Sequence, residues 1–198
     1  MKPYSNNTVT HIKLILKNES SFIESLKNKK TQNASFIILI NKYKEPLYWH
    51  IRKLVLNHDD TDDILQNTFI KVLRGISKFK GNSKLYTWIY RIATNESLNF
   101  LKSKSKKFSN NSKEMMEYLV KNLKDDPYFN GDELQLKLQL IISNLPEKQK
   151  LVFQMKYEQN MKFKDIAEVL GKSTGGLKAS YHIAVSKIKK EISQIQTF

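Results

Sequence analysis

Four aspartates fall within five positions of HDDTDDILQNTFIKVLRG (58–75): Asp59, Asp60, Asp62 and Asp63. Carboxylates this dense can do three different jobs. One or two of them suit a helix start, where acids complement the macrodipole and Asp60 or Thr61 can cap. A set such as Asp60, Asp62 and Asp63 could hold a metal ion for nuclease chemistry, although carboxylates at one helix start rarely converge without ligands from elsewhere. Displayed to solvent beside Gln66 and Asn67, they could instead dock a basic protein partner. Ile64, Leu65, Phe69, Val72 and Leu73 supply the buried face of such a helix.

The next segment, ISKFKGNSKLYTWIYRIATNESLNFLKSKSKK (76–107), has the opposite charge, with eight Lys or Arg and one acid, Glu96. A loop, FKGNSK, leads into a long helix. Leu85, Ile89, Ile92, Ala93 and Phe100 share one face. Arg91, Asn95, Asn99 and Lys102 share another, at i, i+4, i+8 and i+11, with Thr87 and Trp88 leading into it. Cations hold phosphates, amides read base edges and aromatics stack on bases, so this row suits unstacked single-stranded nucleic acid. The plain alternative is that Trp88 and the tyrosines are core. Glu96 on the apolar side and Leu98 on the polar side do not fit the pattern.

A third constellation lies near the C-terminus. Pro146 suits the first turn of a helix carrying Leu151, Val152 and Met155, and Asn160 ends that unit. Phe163, Ile166, Ala167 and Leu170 then repeat with helical spacing and Gly171 closes the helix. Ser173 offers an N-cap to a final helix striped by Leu177, Tyr181, Ala184, Val185, Ile188 and Ile192. Helix, tight turn and amphipathic helix have the grammar of a helix-turn-helix, the plain alternative being an ordinary helix hairpin with its capping residues. Its last helix should enter the major groove with Lys178, Ala179 and His182 outward. The amides near Ser173, Thr174, Gly175 and Gly176 could hold a phosphate, the glycines allowing close approach.

The elements that must position these residues follow from composition and period. The chain has 198 residues, 34 Lys+Arg against 19 Asp+Glu, and a formal charge of +15, which calls for an anionic partner. Residues 1–108 carry +12 of that charge and 109–198 only +3, so the halves are expected to meet different surfaces, or the same polymer in different ways. With no Cys, disulfides, thiolate zinc and cysteine catalysis are excluded. The four His lack metal-ligand spacing, and no apolar run reaches membrane-span length. No metal, cofactor or catalytic residue is expected, and the protein is expected in the cytoplasm. Apolar spacing is helical throughout, which predicts an all-α chain. Two small helical domains on a flexible linker are expected: a leader at 1–19, a domain at 20–102, a linker at 103–131 with a short helix near 114–124, and a domain at 132–193.

Taken together, DDTDDILQNTFIKV, FKGNSKLYTWIYRIATNESLNFLK and SNLPEKQKLVFQMKYEQNMKFKDIAEVLGKSTGGLKASYHIAVSKI resemble bacterial RNA polymerase sigma factors of the sigma-70 family. The match is to the extracytoplasmic-function group, which has only sigma domains two and four. The resemblance covers about 20–102 and 132–192. It implies a non-enzymatic initiation factor whose Asp-rich helix docks on core polymerase through Asp60, Asp63, Gln66, Asn67 and Phe69, favouring docking over a metal. It implies that Lys80, Gly81, Asn82 and Ser83 form a loop pocket for a flipped base of the minus-ten promoter element, with Asn95 and Asn99 reading bases. It also implies that Lys178, Ala179 and His182 meet the minus-thirty-five element. Many members are held by an anti-sigma factor, which is a further implied partner. Lys178, Ser180 and His182 stand where members often carry Arg, so bidentate guanine reading by Arg is not open to that helix. A stand-alone helix-turn-helix regulator is the alternative, and it leaves the acidic helix and the Arg91–Asn95–Asn99 face unexplained.

Overall fold

The computed structural model describes residues 18–107, 121 and 133–195, and all regular structure among them is helical. The leader up to residue 17, most of the expected linker and its short helix lie outside the described residues. Residues 103–107, read from sequence as linker, instead continue a helix.

Helix α1, Glu19–Lys27, begins under an Asn18 side-chain cap and buries Phe22 and Leu26. Helix α2, Gln32–Val55, keeps an exposed Pro46 within its length and ends at Leu56 in the left-handed region. Helix α3, His58–Gly75, carries the acidic cluster, and a short 3-10 turn, Ile76–Lys78, leads to the loop. Helix α4, Leu85–Lys107, carries the amide row. Helices α2, α3 and α4 pack on one another around Leu39, Leu47, Ile51, Ile64, Val72, Ile89 and Ala93.

The cap of α3 differs from the expected one. Asn57, not Asp60 or Thr61, is the N-cap, its Oδ1 accepting from the Asp60 backbone N–H at 2.9 Å. Asn57 has the extended backbone a cap needs, whereas Asp60 and Thr61 are already helical. Glu96 also finds its reason: it forms an ion pair with Lys71 of α3 across the helix interface.

In the second part, α5 spans Glu133–Ser143 and α6 spans Glu147–Phe153. Pro146 is the N-cap of α6 rather than a residue of its first turn. Helix α6 passes directly into a π turn, Gln154–Glu158, and Asn160, expected to end this unit, takes φ 51°. Helix α7, Phe163–Leu170, ends at Gly171 with φ 62°, where a side chain would be strained. Helix α8, Thr174–Ile195, starts with Ser173 Oγ accepting from Gly176 N–H. A Cβ on Gly176 would stand 3.2 Å from that oxygen, so the cap itself favours glycine there. Helices α6 and α7 pack on α8, with Phe153, Ala184 and Ile188 in a local cluster with Ile141, Ile142 and Leu145.

The two parts are in contact. Leu151, Met155, Met161, Ile166, Val169 and Leu177 join the same apolar cluster as the first domain, and α7 lies against α4.

Candidate nucleic-acid interface

The acidic helix presents two kinds of residue. Asp63, Gln66 and Asn67 are exposed on one face of α3, which continues into Ile70 and Leu73, each 39% exposed. The periodicity that put Leu73 in the core therefore did not decide its side: Val72, beside it, is the buried one. Asp60 is partly buried and pairs with Lys104 of α4 at 2.6 Å. Phe69 is buried and packs edge-on to Phe36, with ring centroids 6.4 Å apart. Both support the exposed face of α3 from behind rather than lie on it. The four carboxylates diverge: Asp60 turns to Lys104, Asp62 to His58, and Asp59 and Asp63 to solvent.

The loop of residues 80–83 is held at both ends by α1, a link the sequence pattern did not reveal. Lys27 Nζ donates to the Phe79 carbonyl at 2.6 Å. Glu19 accepts from the Leu85 N–H at 3.1 Å, so an acid from α1 satisfies an otherwise orphaned amide at the start of α4. Between these anchors Lys80, Gly81 and Asn82 are exposed, Ser83 is half-buried, and Gly81 has φ 74°.

Along α4, Asn95, Asn99 and Lys102 are exposed in one row. Arg91 heads the row and is engaged elsewhere, its Nε donating to the Glu168 carbonyl at 2.9 Å and its second nitrogen, an Nη, donating to the same oxygen. Thr87 is fully buried. Trp88 is half-buried, its ring 4.8 Å from Phe79 and tilted 34°, with Gly75 tight against its edge. The core reading therefore holds for much of the Trp88 ring. The outward row consists of amides and cations.

Helix α8 keeps the expected outer face. Lys178, Ala179 and His182 are exposed while Leu177 and Ala184 are fully buried. Ser173, Thr174 and Gly175 are exposed at its start and Gly176 is half-buried. No helix among the described residues is long and apolar enough to cross a membrane, and none of their His, Asp or Glu side chains gather in threes as a metal site would need.

Comparison with known proteins follows these faces. Residues 39–107 match the model of sigma-70 region 2, and residues 135–188 match that of sigma-70 region 4, together more than half the chain. The ECF RNA polymerase sigma-E factor of Haemophilus influenzae is 28% identical over 169 residues, covering 81% of this chain and 89% of the relative. The RNA polymerase sigma factor SigV of Bacillus subtilis is 26% identical, over 85% of this chain and 98% of its own. Among solved structures, CnrH in complex with the cytosolic domain of CnrY superposes with TM-score 0.65 at 16% identity, covering 89% of this chain and 97% of that one. The sigma factor RpoE of Bartonella quintana, in complex with the anti-sigma factor NepR, gives TM-score 0.62 at 16% identity over 80% and 96%. At those identities the structures speak for the fold, and the two region models speak for the family. The chain belongs to the sigma-70 family, in its extracytoplasmic-function group, and is an RNA polymerase sigma factor.

Proposed function

We propose that this sigma factor divides initiation among three exposed faces. Asp63, Gln66 and Asn67 on α3 dock core polymerase, with Ile70 and Leu73 continuing that face and Asp60 and Phe69 holding it in place. The loop Lys80–Ser83 and the row Arg91, Asn95, Asn99 and Lys102 capture the melted non-template strand at the minus-ten element. Helix α8, through Lys178, Ala179 and His182 with the amides near Ser173–Gly176, reads the minus-thirty-five element in duplex form. The observation that carries this reading is the exposed amide–cation row of α4 directly beside an exposed loop anchored at both ends.

Chemically the division is economical. Extruding a base costs a few kcal/mol, which a prebuilt loop pocket can offset. Amides on the adjacent helix discriminate bases by about 1–3 kcal/mol per contact. The phosphodiester chemistry and its metal ions belong to polymerase, so the chain needs no active site of its own. It works in the cytoplasm, where polymerase and chromosome are. An anti-sigma factor is a fitting additional partner, since the two superposed proteins were each solved with a partner protein, one of them named an anti-sigma factor.

The test is transcription by sigma-free core polymerase from genomic promoters with and without the purified chain. Start sites that appear only with the chain, preceded by two shared upstream elements, are expected. Tight duplex binding with no chain-dependent start site would overturn the reading in favour of a stand-alone regulator.

A further inference from the structure

The loop assigned above to base capture has little structure of its own. The backbone N–H groups of Lys80, Gly81, Asn82 and Ser83 have no backbone partner among the described residues. A stretch without internal bonds takes its shape from its two ends, and both ends are tied to α1. At the first end Lys27, the last residue of α1, donates to the Phe79 carbonyl at 2.6 Å. The Phe79 ring packs on Trp88, so this tether holds a backbone already wedged by its side chain. At the second end α4 brings no cap of its own. The Lys84 carbonyl accepts from Trp88 N–H at 3.1 Å, which puts Lys84 at the cap position. An ammonium cannot accept a hydrogen bond, and the usual capping residues are Ser, Thr, Asp and Asn. Glu19 supplies the missing acceptor from 66 positions away, its Oε1 3.1 Å from the Leu85 nitrogen. Its carboxylate also suits the positive end of the α4 dipole.

Helix α1 is itself fixed firmly enough to act on the loop. Phe22 and Leu26 are buried, and α1 packs on α2 and on the 3-10 turn that precedes the loop. Gln32 Nε2 of α2 donates to the Leu26 carbonyl at 3.0 Å, and Ser35 Oγ of α2 donates to Ser25 Oγ at 2.9 Å. Ser25 in turn donates to the Phe22 carbonyl. The match to sigma-70 region 2 begins at residue 39, so α1 lies ahead of the segment to which the family model applies.

We propose that α1 is a two-point clamp on this loop, with Glu19 and Lys27 as positioning residues for the captured base. The proposal rests on the reading of residues 80–83 as the minus-ten pocket. A loop held in place before the strand arrives gives up little freedom on binding, which favours affinity. The two tethers act on different parts of the reader. Lys27 sets where the loop leaves Phe79 and Trp88, and Glu19 sets the first turn of the helix that carries Asn95 and Asn99. Charge gives the proposal a sign. Glu19 is an exposed acid and the strand is a polyanion, so through space alone the loss of Glu19 would tighten binding. The clamp requires the reverse. It also requires that the captured base matter less once a tether is cut, an effect that charge cannot produce, because a strand with one base missing carries the same phosphates.

The test compares the full chain with Glu19→Ala, Glu19→Gln and Lys27→Met. Amide hydrogen exchange at Leu85 is followed by NMR on each free chain. Each chain is then bound to core polymerase and mixed with a single-stranded oligonucleotide carrying the non-template minus-ten sequence of a promoter the chain activates. The same strand with each base in turn replaced by an abasic site gives the discrimination ratio. Glu19→Ala should speed Leu85 exchange several-fold, weaken strand binding several-fold and bring the largest abasic effect close to one. Lys27→Met should reduce that ratio likewise, and Glu19→Gln, which keeps an acceptor, should recover most of it. Duplex minus-thirty-five affinity should stay unchanged in all three. Strand binding by Glu19→Ala that equals or exceeds that of the unaltered chain overturns the clamp alone. Unchanged Leu85 exchange in Glu19→Ala overturns it as well, and so does a Glu19→Gln chain no better than Glu19→Ala. An unaltered chain indifferent to every abasic site takes away the reading of the loop, and the clamp with it.

Discussion

Acidification should separate the two domains, and His50 sets the window. Its ring is fully buried between α2, α4 and the π turn, and its pKa lies at about 4 against an ordinary 6.5. The closed form thus prefers the neutral ring. Closure is at full strength above pH 6.5 and weakens as pH falls, until His50 is protonated in both forms near pH 4. A fall from 6.5 to about 4 corresponds to roughly 3 kcal/mol, at 1.36 kcal/mol per pH unit. That figure is a ceiling, because Tyr90 and Thr94 of α4 still cover one side of the ring after opening. The groups facing the ring are Lys53, whose charge opposes protonation, the Lys53 partner Glu158, Tyr90 and the Gln159 amide. Small-angle scattering of the full chain between pH 7 and pH 4.5 should show a rising radius of gyration with far-UV helicity retained. His50→Asn, which cannot titrate, should flatten that dependence. A constant radius down to pH 4.5, or an identical rise in His50→Asn, would refute the assignment of the switch to His50.

Three further outcomes concern separate faces. Asp63→Lys with Gln66→Ala should abolish co-purification with core polymerase. Both side chains are exposed, so stability should move by no more than about 0.5 kcal/mol in thermal melts; normal pull-down would remove the docking role of α3. Asn95→Ala should weaken open-complex formation by about 1–3 kcal/mol while gel shifts on duplex minus-thirty-five DNA stay unchanged, and equal loss in both assays would count against base reading. Asn57→Ala removes the α3 cap and should cost about 1 kcal/mol in denaturant unfolding; an unchanged midpoint would place the cap elsewhere.

Much of this protein could be read from residue order alone, because amphipathic helices record burial locally. The helical spacing of Ile64, Leu65 and Val72, or of Leu177, Ala184 and Ile188, reports which face is covered whatever covers it. The exposed rows follow by complement, so Asn95, Asn99, Lys178 and His182 stand where the period puts them. The Gly171 turn and the Ser173 cap depend on a few neighbouring backbone groups and were legible for the same reason. Charge on Asp60 did not reveal which side it would take, since an acidic side chain can meet solvent or a lysine from another helix, whereas the period already put Phe69 on the buried face. Only the tertiary structure decided the rest. Glu19 capping α4, Lys27 tying down the loop of residues 80–83, the π turn reaching Lys53 and His50, and Arg91 closing the end of α7 all join groups distant in the chain. Period and propensity act over a few residues, whereas these bonds exist only once packing brings unrelated helix ends within hydrogen-bond reach.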